Sequence, residues 1–342
     1  MPDCLEAMES AYRDLGSREG ANGPRSEILT PTSREDALYS LLTMSGVIPR
    51  FGIGAVRINS DILTWPVSRG EQRRVKVPAA PNSRYVGLVL LFSTQTGEPL
   101  AIYPDGVVQR MRVGATSGLA AKYLARADAR EVALLGAGWQ AGAQAMAIAA
   151  VRNIHRMRCY GPNRERRETF AKAMQTKLGI EVVSVGTAKE AVAGADIVLC
   201  ATNSLQPVLP KEWLQSGMHV SSLSRLELDA STIAAANLVV IHIREAAGKV
   251  IRAAGADLAK ETEEKKAALS STIAQTPRPE LSDLLLGRVP GRRSNDEITL
   301  FLNYAGLGYQ FAATGHVIYS KASERGLGLK LDTELFTSAL PS

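Results

Sequence analysis

The chain has 342 residues, 45% of them apolar and 22% charged, with 40 Lys and Arg against 34 Asp and Glu for a net charge of +6. Ordinary globular usage over that length predicts about two domains and excludes a disordered chain, a collagen and a disulfide-stapled miniprotein. The small basic surplus is spread along the chain, densest at Arg164, Arg166 and Arg167 with Glu165 and Glu168 among them. It suits solubility or an anionic small molecule, and no basic stripe with a reader motif points to nucleic acid.

Cys4, Cys159 and Cys200 have no metal spacing and an odd count, which reads as buried thiols of a reducing compartment. His155, His219, His242 and His316 are too scattered for a zinc site, so no metal is expected. No apolar run reaches ~18 residues, so no membrane span is expected. No basic segment followed by an apolar one opens the chain, so no signal peptide is expected and a cytoplasmic location is.

Leu5, Met8, Ala11, Tyr12 and Leu15 recur at helical spacing and predict an amphipathic opening helix. Short apolar stretches follow at Ala37–Met44, Ile53–Ile58 and Tyr85–Ser93. A turn at Gly97-Glu98-Pro99 then pairs the last of these with Leu100–Tyr103 as a hairpin. Gln109–Leu124 reads as a helix rich in Ala and Gly. From residue 131 strands and helices alternate: Val132–Leu135, Gln140–Val151, Met157–Tyr160, Arg166–Leu178, Val182–Val185, Ala188–Val192 and Ile197–Ala201. Two further strands are expected at His219–Leu223 and Leu238–Ile241. Strands separated by helices of this length predict parallel β-α-β units and a doubly wound sheet. A polar helical stretch is expected over 253–278, and a last helix over roughly Leu300–Glu324.

The most informative stretch runs from Val132 through Gly136-Ala-Gly138-Trp139-Gln140-Ala141. The first glycine permits a tight turn, the second lets backbone approach a pyrophosphate, and the small third residue lets helix and strand pack closely. The helix N-terminus adds free N–H groups and partial positive charge. Alone, the motif also fits a glycine turn in any α/β domain; with a strand before it and a helix after it, it predicts a nicotinamide dinucleotide site. NAD sites usually place an acid at the end of the second strand, and NADP sites an arginine nearby. Here Tyr160-Gly161-Pro162-Asn163-Arg164 carries no acid. Arg164 with Arg166 or Arg167 facing a 2′-phosphate is weighed against a solvated basic helix start, and the reading leans to NADP over NAD. Thr202 and Asn203, after the fourth strand, could offer polar groups to a ribose or nicotinamide, or form an ordinary turn.

In order and spacing these segments resemble the ornithine cyclodeaminase/mu-crystallin family over nearly the whole chain. The resemblance rests on Gly23-Pro24-Arg25, Gly87–Phe92, Gly97–Leu100, Arg112-Val-Gly-Ala115-Thr-Ser117, Gly136–Ala141, Asp196–Asn203 and Asp296-Glu297-Ile-Thr299-Leu-Phe301. It implies a Rossmann domain at 116–304 and a discontinuous α+β substrate-binding and dimerisation domain at 1–115 and 305–342, in a homodimer. It also implies cofactor contacts at Thr116, Gly136, Ala137, Gly138, Trp139, Gln140, Ala141, Asn163, Arg164, Ala201, Thr202, Asn203, Ser222 and Leu223. Arg25 and Arg112 match the family's carboxylate-holding arginines, a role that suits a planar guanidinium. Arg57 stands where the family usually has a catalytic Lys. A guanidinium cannot readily lose its proton, so Arg57 is expected as a fixed charge on the substrate.

Arg57 and Arg112 are thus the catalytic candidates, and Arg25, Arg57 and Arg112 the substrate-binding ones. Many relatives carry Gly-x-Asp-x-Pro after the fifth strand; this chain has Val220-Ser-Ser-Leu-Ser224-Arg225-Leu-Glu227, with no Asp before Glu227. There, ligand contacts from Ser222, Ser224 or Arg225 and an ordinary turn are both open. So are a proton-donor and a structural role for His242, where the family often has an Asp. The reading expected is an NAD(P)H-dependent oxidoreductase acting on the C=N or C–N bond of a small α-imino or α-amino acid. The alternatives are an NAD-dependent cyclodeaminase and a non-catalytic NADP-binding or accessory subunit.

Overall fold

The computed structural model describes residues 1–68, 71–72, 74–204, 206–244, 248–257 and 277–339. The polar helix expected over 253–278 lies outside the described residues from 258 to 276. The chain forms two compact units, one of Met1–Gly16, Arg110–Glu245 and Lys265–Ala305, the other of Ser17–Gln109, Ala246–Glu264 and Gly306–Ser342. This division differs from the expected one at both ends of the first segment and at 246–264. The helix Pro2–Gly16 belongs with the parallel sheet because Tyr12 meets His242 and Arg13 reaches the Leu285 carbonyl. The strand Lys249–Arg252 belongs with the other unit because it pairs parallel to Ser26–Pro31.

The first unit is a seven-stranded sheet in the order Glu181–Ser184, Arg156–Tyr160, Glu131–Leu135, Ile197–Cys200, His219–Ser222, Thr299–Leu302 and Leu238–Ile241. Every pairing in it is parallel. The order reverses between Glu131–Leu135 and Ile197–Cys200, the switch point at which doubly wound sheets bind ligands. Thr299–Leu302 corrects the expected last helix, which begins only at Gly308. All four of its residues are buried between two neighbouring strands, so its short apolar run carries no helical face to read.

The helix Trp139–Val151 lies close to Gly106–Leu124 along small residues. A Cβ on Gly114 would stand 2.5 Å from the Ala143 carbonyl, and one on Gly118 2.9 Å from the Ala147 methyl. Arg152 closes the C-terminal turn of Gly106–Leu124 by donating to the carbonyls of Ala121, Lys122 and Ala125 at 2.8–2.9 Å. A cation on a helix's last carbonyls satisfies groups the helix leaves open.

The second unit is an antiparallel-rich sheet in the order Lys249–Arg252, Ser26–Pro31, Ala37–Ile48, Ile53–Thr64, Val86–Ser93 and Pro99–Pro104. Ala21–Asn22 is added on Ala37–Ile48, and Val75–Val77 on Ile53–Thr64. The expected hairpin is its last pair, Val89 opposite Tyr103. The helix Gly308–Glu324 packs on this sheet through glycines: a Cβ on Gly315 would stand 2.7 Å from Leu91 and from the Tyr103 hydroxyl. Among the described residues no helix is long and apolar enough to cross a membrane.

Candidate active site

The strand Glu131–Leu135 is buried in the sheet and runs directly into the glycine loop. Gly136 has φ +122, and a Cβ there would collide with the Ala201 carbonyl of the neighbouring strand. Its N–H donates to the Tyr160 carbonyl at 2.8 Å. Gly136 therefore lets three strand ends converge, a geometry closed to a residue with a side chain. Gly138 has the opposite surroundings: it is exposed, and a Cβ there would meet nothing within 4 Å. It is also the N-cap of Trp139–Val151 and supplies no side-chain cap. A helix N-terminus with open space before it is a ready anion site. The Trp139 ring is half exposed under the Arg110 guanidinium, 5.2 Å from the ring centre.

At the second strand end the three candidate arginines separate. Arg164 is exposed and pairs with Glu168 at 2.7 Å, one turn along its own helix. Arg167 turns back instead, donating to the Gly161 carbonyl at 3.0 Å with its guanidinium over Tyr160. Asn163 caps the helix Arg164–Leu178, its Oδ1 accepting from the Arg166 N–H at 2.9 Å. A Cβ on Gly161 would already stand 3.3 Å from the Ala137 methyl.

The ends of the two central strands are tied by Glu227, a fully buried carboxylate. Its Oε1 accepts from Thr202 N at 2.5 Å and Thr202 Oγ1 at 2.8 Å. Its Oε2 accepts from Ser222 Oγ at 2.9 Å, Leu223 N at 2.9 Å and Ser224 N at 3.0 Å. Three backbone donors and two hydroxyls stand in for bulk water around this charge. Thr202, expected to donate to a ribose or nicotinamide, and Ser222, expected as a cofactor contact, thus place their hydroxyls against Glu227. Thr116 is likewise buried with its hydroxyl on the Arg112 carbonyl at 2.8 Å, the usual back-bond of a helical threonine. Asn203 stays exposed beside them.

In the second unit the strand Ile53–Thr64 alternates strictly, with Ile53, Ala55, Arg57, Asn59, Asp61 and Leu63 buried. One buried face is therefore apolar at both ends and charged in the middle. Arg57 donates Nε and Nη2 to Asp105 Oδ2 at 2.8 and 2.6 Å and stands 4.9 Å from the Phe311 ring centre. Asn59 Nδ2 lies 3.4 Å from the same oxygen. Lys76 holds Asp61 at 2.6 Å, and Arg74, Arg25 and Ser40 surround the buried Glu27. Burial alone would raise the Glu27 carboxyl; Arg74, Ser40 and Arg25 hold it below its ordinary value. Arg57, expected as a clamp for substrate, already grips a carboxylate of its own chain. Arg25 is half exposed and packs beside Gly248.

Arg112 is buried on the helix Gly106–Leu124. His242 is buried too, at the end of Leu238–Ile241, in a hydrogen bond with the Tyr12 hydroxyl. Burial, with Arg112 nearby, pushes its pKa down to about 3, so it rests as neutral imidazole rather than as a cationic acid. Sequence reasoning did not identify Asp105, Glu227 or the run Arg57-x-Asn59-x-Asp61. The last was visible as polar residues at strand period, whereas the first two act only through tertiary pairing.

Fold and loop together define an α/β protein of the Rossmann class. The model of the ornithine cyclodeaminase/mu-crystallin family matches residues 74–326, and the chain belongs to that family. Δ1-pyrroline-2-carboxylate reductase of Bacillus cereus is 36% identical over 253 residues, 72% of this chain and 74% of that protein. Alanine dehydrogenase of Archaeoglobus fulgidus is 30% identical over 72% of this chain and 73% of its own. The structure of Thermococcus litoralis Δ1-pyrroline-2-carboxylate reductase in complex with NADH and L-proline superposes with a TM-score of 0.75. It is 27% identical and covers 96% of this chain and 95% of that one.

Proposed function

We propose that this protein is an NAD(P)H-dependent oxidoreductase that reduces the C=N bond of a small α-imino acid or oxidises the corresponding α-amino acid. The observation that carries the cofactor is Gly138, an exposed glycine with open space beside it at an uncapped helix N-terminus. A bound nicotinamide dinucleotide supplies the hydride. The N–H groups of Trp139, Gln140 and Ala141 would hold its pyrophosphate, and Ala201 and Asn203 would border its nicotinamide half. Gly161 in place of an acid, with Arg167 folded back on it, favours NADPH over NADH. Arg112 and Arg25 are the residues proposed for the substrate carboxylate, while the charge of Arg57 is met within the chain by Asp105. A cytoplasmic location fits the free thiols of Cys4, Cys159 and Cys200.

Gly138→Val is expected to abolish NADPH binding, read as the rise in nucleotide fluorescence. Because a Cβ at this position meets nothing within 4 Å, the thermal unfolding midpoint is expected to stay within a few degrees of the wild type. In the wild type NADPH is expected to bind more tightly than NADH at low salt, with the gap narrowing as salt screens the arginine. A screen of 2-oxo acids with ammonia or methylamine and NADPH then tests turnover. Normal NADPH titration in Gly138→Val refutes the site, and ammonia release from ornithine without net nicotinamide oxidation refutes the reductase.

The protein is further proposed to form a homodimer across the other face of the antiparallel sheet. Val86, Leu88 and Ile102 are exposed there by 38–50% on the neighbouring strands Val86–Ser93 and Pro99–Pro104, and Ile28 is exposed by 39% in the same row as Val86, with two strands between them. Sedimentation is expected to give a dimer for the wild type and a monomer for Leu88→Lys/Ile102→Lys. A wild-type monomer at micromolar concentration refutes it.

A further inference from the structure

The carboxyl edge of the parallel sheet carries two guanidiniums, Arg225 and Arg278, that no carboxylate of the described residues neutralises. Arg225 follows the strand His219–Ser222 by three residues, and Tyr304 follows Thr299–Leu302 by two. Arg278 immediately precedes Pro279, whose carbonyl accepts from Ile241 N at 2.9 Å at the end of Leu238–Ile241. These three strands are neighbours in the sheet, so the three side chains rise from one edge. The Arg225 guanidinium stands 4.3 Å from the Tyr304 ring centre. Arg278 Nε is buried with no hydrogen-bond partner among the described residues. Among the described residues, Glu227 and Glu280 are committed elsewhere: Glu227 is turned inward on five donors, and Glu280 accepts from the Arg244 N–H at 2.9 Å and forms an ion pair with its guanidinium at 3.8 Å. Among the described residues neither Arg225 nor Arg278 makes an ion pair.

Half-buried like charges without a counter-charge are costly to keep, and a ligand anion would offset them. A guanidinium fork suits a carboxylate or a phosphate. The site's place in the sheet separates these two. The glycine loop sits between Glu131–Leu135 and Ile197–Cys200, whereas Tyr304 follows a strand two places beyond the latter, roughly 10 Å along the sheet. The pyrophosphate end is therefore served elsewhere. We propose that Arg225 and Arg278, on either side of Tyr304, form a carboxylate-binding subsite, and that the substrate carries a carboxylate besides the one on its α-carbon. This rests on the reductase reading and narrows its substrate to imino or amino acids with two or more carboxylates.

The test needs no turnover. Full-length protein saturated with NADPH is titrated with succinate and with butyrate, followed by quenching of the bound nucleotide's fluorescence. Succinate is expected to bind at least tenfold more tightly than butyrate. Arg225→Met and Arg278→Met are each expected to weaken succinate at least tenfold, Arg225→Lys less than Arg225→Met, with unfolding midpoints showing each variant folded. Equal binding of the two acids, or succinate binding indifferent to both arginines, overturns the proposal. A parallel loss of NADPH affinity in Arg225→Met also overturns it, because the anion is then a cofactor phosphate. Selective, arginine-dependent succinate binding in a protein that reduces no 2-oxo acid and amine mixture upholds the subsite and refutes the reductase reading instead.

Discussion

Lowering the pH from 7.5 to 5 is expected to cost this protein about 4 kcal/mol of stability through two histidines alone, each contributing about 1.4 kcal/mol for every pH unit below 6.5. His219 and His242 are both buried, and burial pushes each down to about 3. Arg292 and Arg152 add to the effect on His219, and Arg112 to that on His242. The Thr299 hydroxyl lies 2.8 Å from the Leu124 carbonyl and 3.0 Å from His219 Nδ1. With its hydrogen on Leu124, Thr299 accepts from Nδ1, which fixes the neutral tautomer with Nε2 bare. In the unfolded chain both rings titrate near 6.5. Between pH 6.5 and 3 the unfolded state therefore binds more protons, and stability falls as pH falls through that window. Keeping the measurement above pH 5 leaves carboxylates largely out of it. Urea unfolding at pH 7.5, 6 and 5 reads the slope, and His242→Gln is expected to halve it. A stability unchanged from pH 7.5 to 5 refutes the buried neutral pair.

The parallel sheet was legible because its signals are local. Val132–Leu135 is a short apolar run ending in glycine, and the helices Arg164–Leu178 and Ala188–Val192 each begin at a side-chain cap, Asn163 and Thr187. Thr299–Leu302 was not legible, since a threonine and three apolar residues ahead of a helix have no period to distinguish strand from first turn. The strand Ile53–Thr64 misleads for another reason. A rule of apolar in and polar out assigns Val56, Ile58 and Ile62 to the core and Arg57, Asn59 and Asp61 to water. The structure does the reverse, burying this polar set and leaving the apolar set half exposed. That inversion costs desolvation at three positions, so it marks where folding yields to another requirement. Glu227 was read only as the residue with no Asp before it, because its partners come from two strands whose adjacency no local pattern encodes.

Asp105→Ala is expected to be the most damaging single change in the antiparallel unit, costing about 3–5 kcal/mol. It would leave the Arg57 guanidinium, 5% exposed, without the carboxylate that holds two of its donors. Burial already pulls the Arg57 pKa down against the opposing pull of Asp105, and a guanidinium does not escape its charge by losing a proton. The reciprocal change is milder. Arg57→Met leaves Asp105 behind, but that residue immediately precedes the helix Gly106–Leu124, where a negative charge is favourable. Its side chain also reaches solvent more than that of Arg57 does. Arg57→Met is therefore expected to cost about half as much, and Arg57→Met/Asp105→Ala less than Asp105→Ala alone, because no charge is then buried unpaired. Urea unfolding of the four proteins at pH 7.5 gives the cycle. Equal losses for the two single variants, or a double variant worse than either, refute the account in which Asp105 exists to neutralise Arg57. The cycle also separates stability from recognition: a variant of Arg57 that loses substrate has first lost an internal ion pair. Its binding constants are to be read only at urea-free conditions where the folded fraction is the same as for the wild type.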